Sequence, residues 1–410
     1  MTSTDLRALG RDQWEEWYGH LELAFGGVPE APEERALWRD LTESDRAIAA
    51  WDDGQIVGTA GSFSFGLSVP GGAVVPAAGV TAVSVSATHR RRGILRAMMR
   101  RQLDDLRAAG EPLAVLTASE PAIYGRFGYG IATRQMSVEI DTSRVRLEVP
   151  PGTDAVRLRR ADPAGVLKEC EELYARRVAS RPGMLRRAPG WERLGVLDPE
   201  GERGGASPLQ CVLAESGGEL RGYARFAVKP EWDAAGAKGT VVLRDLEALD
   251  PAAYAALWRF LFGIDLTSAL VARNRPEDDP LLHLVSDVRR CGVRLRDSLH
   301  LRPVDVGAAL AARTYTAGVD VVLEVEDAFC PWNSGRWRLT GDGSGASCVR
   351  TGDDADLALT VRELGAAYLG GVSLTALAGA GRVRELRPGT LAAAAAAFSS
   401  PVAPWLPHGF

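Results

Sequence analysis

The sequence predicts an α+β protein of three consecutive domains, 1–150, 151–300 and 301–410, the first two built on mixed sheets with helices on both faces and the third on a smaller α/β unit. Three observations carry this. At 410 residues the chain is too long for one hydrophobic core, which sets the expectation at two or three domains. The stretch 83–117 reads strand, helix, strand. β-Branched residues alternate with small polar ones up to Val85, then Ile94, Leu95, Met98 and Met99 recur at helical spacing, and 113–117 is a short apolar run of the kind buried in a parallel pair. Beyond the break at Pro150-Pro151-Gly152 a worn copy of this pattern begins, and from Arg302-Pro303-Val304 the character changes again.

Taken in order, the first 45 residues read as helical, with Trp14, Trp17, Tyr18, Leu21 and Phe25 spaced for one face, a break at Gly26-Gly27-Val28-Pro29, and a second helix over 33–41. Trp14 and Trp17 read as core. Residues 46–51 and 55–65 alternate like strands joined by Asp52-Asp53-Gly54, a strong hairpin signal. A turn at Pro70-Gly71-Gly72 leads into the strand ending at Val85, and Gly110-Glu111-Pro112 ends the helix over 92–109. In the second domain 211–224 echoes the first hairpin, and 246–251 enters a helix over 252–262 much as 83–88 enters its own. Where the first copy has Arg-Arg-Arg-Gly, the second offers Pro251-Ala252-Ala253-Tyr254-Ala255. Without glycine or charge it reads as a structural wall. In the third domain 321–326, 337–339 and 357–361 read as strands, and 364–368 and 391–398 as helices. Pro401, Pro404 and Pro407 forbid a helix in the tail, while Trp405, Leu406 and Phe410 are too apolar to dangle in water, so a docked, extended tail is expected.

Composition excludes several classes. An apolar fraction of 46% with 25% charged residues is that of a soluble folded chain, and a formal net charge of -5 argues against a nucleic-acid surface as the main function. Cys170, Cys211, Cys291, Cys330 and Cys348 are odd in number and scattered without ligand spacing, so neither a disulfide framework nor a metal site is expected, and buried thiols in a reducing cytoplasm are. No apolar run approaches the roughly 20 residues needed to span a bilayer, and no apolar signal core opens the chain. A cytoplasmic protein follows by elimination.

Chemistry concentrates at the turn between Val85 and Ile94. The first-turn N–H groups of a helix have no intrahelical partner, and the helix dipole adds partial positive charge there. Gly93 lets an anion approach the backbone, and Arg90, Arg91 and Arg92 add forked donors. Three arginines at a helix start would also make a merely solvated face. No Gly-Lys-Ser/Thr follows, so this is not a Walker loop, and the dinucleotide fingerprint is absent.

Arg90-Arg91-Arg92-Gly93-Ile94-Leu95 resembles the Arg/Gln-x-x-Gly-x-Gly/Ala pyrophosphate loop of GCN5-related N-acetyltransferases, departing from it at Leu95. Extended to Gly79-Val80-Thr81-Ala82-Val83 upstream and Ser119-Glu120-Pro121-Ala122-Ile123-Tyr124-Gly125-Arg126-Phe127-Gly128-Tyr129-Gly130 downstream, the match is similar to the enhanced intracellular survival (Eis) family of aminoglycoside acetyltransferases. The resemblance implies tandem acetyltransferase folds closed by a sterol-carrier-protein-like domain, and a homohexamer. It implies acetyl-CoA as donor, a cationic amine as acceptor and no metal. Position by position it assigns cofactor binding to Val83, Ser84 and Val85, to Arg91, Arg92, Gly93, Ile94, Leu95 and Arg96, and to Ser119 and Glu120. The early helices and their loop, with Trp38, would form a wall of the acceptor cleft.

The same resemblance makes Tyr124 the proton donor and the α-carboxylate of Phe410 the base. A phenol stays protonated at neutral pH and an α-carboxylate stays ionised, so each suits its part. Tyr124 would equally serve as a core tyrosine, as is expected of Tyr129. His20 and His89 come without a partner pattern and read as surface histidines. Other acceptors, protein lysines or polyamines, and a different class, a non-catalytic acyl-CoA or lipid carrier working through the last domain, remain open at this point.

Overall fold

Alternating apolar residues build the first sheet from the start of the described chain, residues 5–234 and 236–410 of this computed structural model. Strand β1 (Asp5–Ala8) pairs antiparallel with β2 (Ile48–Asp52), which turns at Asp53-Gly54 into β3 (Gln55–Ser68) and, past Gly71-Gly72, into β4 (Val74–Val85). Asp53 and Gly54 both take positive φ, 48° and 76°, as a tight hairpin turn demands. The helical expectation for the first 45 residues is corrected at 5–8, which cover the otherwise unpaired edge of β2. Helices α1 (Trp14–Ala24) and α2 (Pro32–Leu41) follow. Trp14, Trp17 and Tyr18 are buried against Ala47, Ala49 and Ile56, but Phe25 lies past the end of α1 and is 61% exposed.

Residues of opposite parity in β2 face the other way. Ile48 and Ala50 pack with Ile94 and Met98 of α3 (Ile94–Ala108), so helices cover both faces of the sheet. Strand β5 (Leu113–Thr117) then runs parallel to β4. After α4 (Pro121–Tyr124) come β6 (Gly130–Ile131) and β7 (Arg134–Asp141).

The second segment supplies β8 (Arg157–Ala161), α5 (Leu167–Val178) and β9 (Leu185–Arg186), which pairs with β3. The expected second hairpin is β10 (Gln210–Ser216) and β11 (Glu219–Lys229). A short ribbon of β12 (Trp232–Asp233) and β13 (Gly236–Ala237) precedes β14 (Gly239–Ala248), α6 (Pro251–Phe262) and β15 (Thr267–Arg275). Then come α7 (Leu281–Leu284), β16 (Arg294–Asp297) and β17 (Leu299–Pro303).

The two sheets trade strands. The first has the order β1-β2-β3-β4-β5-β17-β6, and the second β16-β7-β15-β14-β11-β10-β8. The β6–β7 and β16–β17 segments therefore cross together from one sheet to the other, and the sheets do not divide at the break near 150. Thr133 sits at the crossing, buried, with its hydroxyl accepting from Leu299 N–H and its carbonyl accepting from Ser298 N–H.

The third segment contains α8 (Val306–Ala311), β18 (Val319–Glu326), β19 (Gly335–Gly341), β20 (Ala346–Arg350) and β21 (Leu357–Thr360). It ends with α9 (Val361–Ala367), α10 (Leu374–Gly379), β22 (Val383–Glu385) and α11 (Thr390–Phe398). Its sheet runs β20-β19-β18-β21-β22. Its core is continuous with the first sheet: Leu301, Leu113 and Val115 share one cluster with Leu323, Leu364 and Phe398. No helix among the described residues is long and apolar enough to cross a membrane, and all five cysteines are buried free thiols.

One buried ion pair ties the third segment to the first sheet. Arg302 on β17, 0% exposed, donates to Asp327 (2.5 Å) and to the carbonyl of Phe127, and Asp327 also accepts from the N–H groups of Phe329 and Cys330 and from Asn333. Removing one partner leaves the other charged and unpaired, at a cost of about 3–5 kcal/mol. Asp327→Ala is therefore expected to lower the unfolding midpoint by about ten degrees, while Arg302→Met combined with Asp327→Asn, which keeps an acceptor for the Phe329 and Cys330 N–H groups, recovers part of the loss in the same thermal scan.

Candidate active site

β4 and β5 pair only across Ala77–Leu113, Ala78–Ala114 and Gly79–Val115. β4 continues to Val85 and β5 to Thr117, so past Gly79 the strands part and leave a wedge. A bulge bends β4 here. Ala82 takes φ 52°, and the register against β3 shifts between Thr59 and Gly61. The buried Thr59 hydroxyl donates to Ala82 C=O (2.7 Å) and meets the Ser84 hydroxyl (2.7 Å), which satisfies the polar groups the bulge frees. Beyond it the antiparallel ladder resumes with Gly58 opposite Val85, and Ser86 N–H donates to Val57 C=O. By the alternation of such ladders, the N–H and C=O of Val85 face away from β3, into the wedge.

Helix α3 starts at the mouth of this wedge with no side-chain cap. Its first-turn N–H groups are free to meet an anion. Arg91 (φ 63°) and Gly93 (φ 87°) are both left-handed, and a Cβ on Gly93 would meet nothing within 4 Å, so conformation rather than space selects glycine.

A cleft of about 780 Å³ runs from this helix start into the wedge. It brings together Val83, Ser84 and Val85, then Arg91, Gly93, Ile94, Leu95 and Arg96, and across from them Ser119, Glu120 and Tyr124. Arg92 stands apart: its side chain is 56% exposed and lies 3.8 Å from Asp52. The surface reading of His89 is corrected as well. Its Nε2 lies 3.1 Å from Asp52 and its Nδ1 2.8 Å from the Thr88 hydroxyl, which clamps the loop to the β2–β3 turn. His20 is half-buried on α1, and burial, then His89, lowers its pKa. Phe329, reaching in from the third segment, also lines this cleft; nothing local in the sequence marks it.

A second cavity, of about 330 Å³, shares Val83, Ser119 and Tyr124 with the first. Glu22, Glu30, Glu34 and Glu43 line it, with no lysine or arginine among the described lining residues. Trp38 of α2 is in its wall. Burial raises the pKa of Glu30, which accepts from the Tyr18 hydroxyl (2.5 Å), and of Glu34, which accepts from Trp38 Nε1 (3.4 Å). Glu22, Glu30 and Glu34 flank the glycine-proline break at 26–29, and that acidic flanking was the available sequence signal; Glu43 carries no such signal.

Tyr124 and Phe410 meet in this second cavity. Burial, then the charge of Glu120, raises the Tyr124 phenol above its ordinary value, so it is protonated at neutral pH. Tyr129 is the core tyrosine, 1% exposed, its ring edge-on to Tyr124 at 6.1 Å. The Phe410 ring packs on Phe65, 5.1 Å between centroids, and lies over Gly79, where a Cβ would come within 2.5 Å of Phe65 and 3.1 Å of Phe410. The residue at which β4 and β5 part is thus also the floor under Phe410.

Models of the acetyltransferase (GNAT) domain match residues 5–132 and 183–303, and a model of the sterol carrier protein domain matches 306–407. An N-acetyltransferase of Streptomyces avermitilis, itself uncharacterized, is 72% identical over 408 residues, covering 100% of each chain. The N-acetyltransferase Eis of Mycobacterium tuberculosis is 35% identical over 405 residues, 95% of this chain and 96% of that one. Among solved structures, Eis1 from Mycobacterium abscessus aligns with a TM-score of 0.84 at 37% identity over 100% of both chains.

The left-handed turn at the start of α3 gives a direct test. Gly93→Ala forces a Cβ into a conformation costing about 1–2 kcal/mol, or is relieved by moving the N–H groups. Coenzyme A affinity measured by calorimetry is expected to fall about five- to thirtyfold; unchanged affinity would remove this helix start from the binding site.

Proposed function

The chain belongs to the Eis-like N-acetyltransferases of the GNAT superfamily, and from that premise we propose that it moves the acetyl group of acetyl-CoA to amines of aminoglycosides, at one or several positions. The observation that carries this reading is the seat of Tyr124 and Phe410 in one glutamate-lined cavity that opens onto the cleft at the start of α3. The two clefts divide the work. The α3 N–H groups with Arg91 and Arg96 suit a pyrophosphate, and the outward backbone of Val85 suits the amides of a pantetheine arm, which would pair like an added strand. In this reading the same Val85 N–H is the donor available to the negative charge that develops on the thioester oxygen.

In this reading the Phe410 α-carboxylate takes the proton of the acceptor ammonium, directly or through water. The freed amine attacks the thioester carbon, and Tyr124 donates its proton to the departing sulfur. Glu30, Glu34 and Glu43 hold the acceptor's remaining cationic groups. Because acidity selects cations in general, polyamines and protein lysines are the second reading. The lipid-carrier reading has less support. Arg313, 1% exposed, fills the core of the third segment, donating to the carbonyls of Tyr368 and Phe398 beside the rings of Tyr315 and Phe398.

The test is thiol release by untagged protein given acetyl-CoA and a panel of aminoglycosides, polyamines and lysine peptides. Release with aminoglycosides is expected; none above background hydrolysis overturns the proposal, and release with the other amines alone replaces the acceptor. Tyr124→Phe is expected to lower kcat about a hundredfold or more with acetyl-CoA affinity unchanged. Equal losses in both would make Tyr124 part of the cofactor site.

A pH dependence follows from Glu30 and Glu34. Their raised pKa values mean that they lose charge at higher pH than an exposed carboxyl would, so cation binding is complete above those values and is lost as pH falls through them. KM for a multiply charged acceptor is expected to rise as pH is lowered from 7 to 5, with KM for acetyl-CoA flat. Glu30→Gln is expected to flatten the acceptor profile.

A further inference from the structure

The second domain repeats the strand-then-helix arrangement of the first, and a cleft of about 260 Å³ lies at the corresponding place, lined by Leu246, Glu247, Ala248 and Pro251 from the β14–α6 turn and by Arg275 and Pro276 at the end of β15. β14 and β15 pair in parallel only from Gly239–Thr267 to Leu243–Ala272, then part. Here the helix start is already satisfied: Asp250 caps α6, accepting from Ala253 N–H (2.9 Å), and its carboxylate is paired with Arg221 (2.9 Å). An anion would meet a carboxylate, so this cleft does not repeat the first one's chemistry.

What it receives is the tail. Trp405, 4% exposed, forms part of the lining, 5.5 Å from the Arg275 guanidinium, which is itself buried and paired with Asp279 (2.7 Å). Hydrogen bonds hold the backbone around it at Ala403, Trp405 and Pro407. Ala403 N–H donates to Asp278 (2.9 Å) and Ala403 C=O accepts from Arg181 (2.6 Å). Trp405 N–H donates to Pro182 C=O (2.9 Å), and its indole N–H to Asn274 C=O (3.2 Å). Asn274 returns the bond, its side-chain amide donating to Pro407 C=O (2.7 Å). Asn274 can do this because it sits at a bulge, φ 53°, where the β15–β7 register shifts between Ala272 and Arg275.

We infer that the cleft of the second domain is a socket for the tail, and that Trp405 and Asn274 are positioning residues that hold the Phe410 carboxylate over the reaction centre. The inference rests on the proposed role of that carboxylate. The tether length gives its size. From Pro407, three residues reach at most about 10 Å; from Leu406, which is buried in the main core and does not depend on Asn274, four reach about 14 Å. Freeing the socket therefore dilutes the carboxylate over a volume roughly two- to threefold larger, so turnover should fall by about that factor with the donor site intact.

The experiment compares four forms of the full chain: Phe410 deleted, Trp405→Ala, Trp405→Phe and Asn274→Gly, the last keeping the left-handed backbone while removing the amide. kcat, KM for acetyl-CoA and the rate at which carboxypeptidase releases Phe410 from the three substituted forms are measured under native conditions. Deletion is expected to lower kcat about tenfold or more, and Trp405→Ala about two- to threefold, each with acetyl-CoA KM unchanged. Asn274→Gly should lower it to a similar extent, Trp405→Phe should restore most of it, and Phe410 release should quicken in Trp405→Ala. If deletion lowers kcat but Trp405→Ala and Asn274→Gly turn over normally, the socket inference fails while the base stands. If deletion leaves kcat unchanged, the base fails and takes this inference with it. A fall in kcat with a parallel rise in acetyl-CoA KM in Trp405→Ala and Asn274→Gly would mark a general structural role and overturn it.

Discussion

The early end of the β4–β5 ladder is the constraint on which the site depends. A parallel pair that zipped to its ends would consume the backbone groups of Val83–Val85 and close the approach to α3. Pairing stops at Gly79, the Ala82 bulge turns β4 aside, and Thr59 satisfies the carbonyl that the bulge exposes. The bend therefore carries little unsatisfied polar surface, and it leaves Val85 with free hydrogen-bonding groups at the edge of a cleft. Gly79 serves twice, as the last rung and as the floor beneath Phe410.

The other two segments act on that wedge from outside it. The third contributes Phe329 to the cleft at the start of α3 and is tied to the first sheet by the Arg302–Asp327 pair. The second exchanges strands with the first through Thr133 and Leu299, and its own cleft takes Trp405 of the tail. His408, between the anchor at Pro407 and the cavity at Phe410, lies beside Tyr174 and Trp191, and burial together with Arg187 pushes its pKa down to about 3. It is therefore neutral across the physiological range and adds no charge beside Phe410.

Local pattern made much of this legible. The β2–β3 hairpin, the strand-helix-strand around Arg91–Gly93 and the docked tail rest on alternation, helical period, turn residues and exposed apolar side chains, all properties of a short stretch. The family resemblance supplied roles for Tyr124 and Phe410 that spacing alone would not. What stayed hidden depends on contacts distant in sequence. Nothing near 134 shows that Arg134–Asp141 leaves its own sheet, because Met136, Val138 and Ile140 alternate as they would in either sheet. Arg92 looked equivalent to Arg91, yet only the latter lines the cleft, since Asp52 stands on the other side of the loop. β1 was missed because four residues with one apolar alternation carry too little signal against the helix that follows.

The central claim is that unpaired backbone at one helix start and one strand end holds the donor so that its thioester lies between Tyr124 and Phe410. A crystal structure of the chain with coenzyme A and a cationic acceptor tests it most directly. The account predicts pyrophosphate oxygens about 3 Å from the N–H groups of 93–96, the pantetheine arm along Val83–Val85, and the sulfur facing the cavity shared by Tyr124 and Phe410. A donor bound elsewhere, or Phe410 displaced from that cavity with both substrates in place, would contradict it.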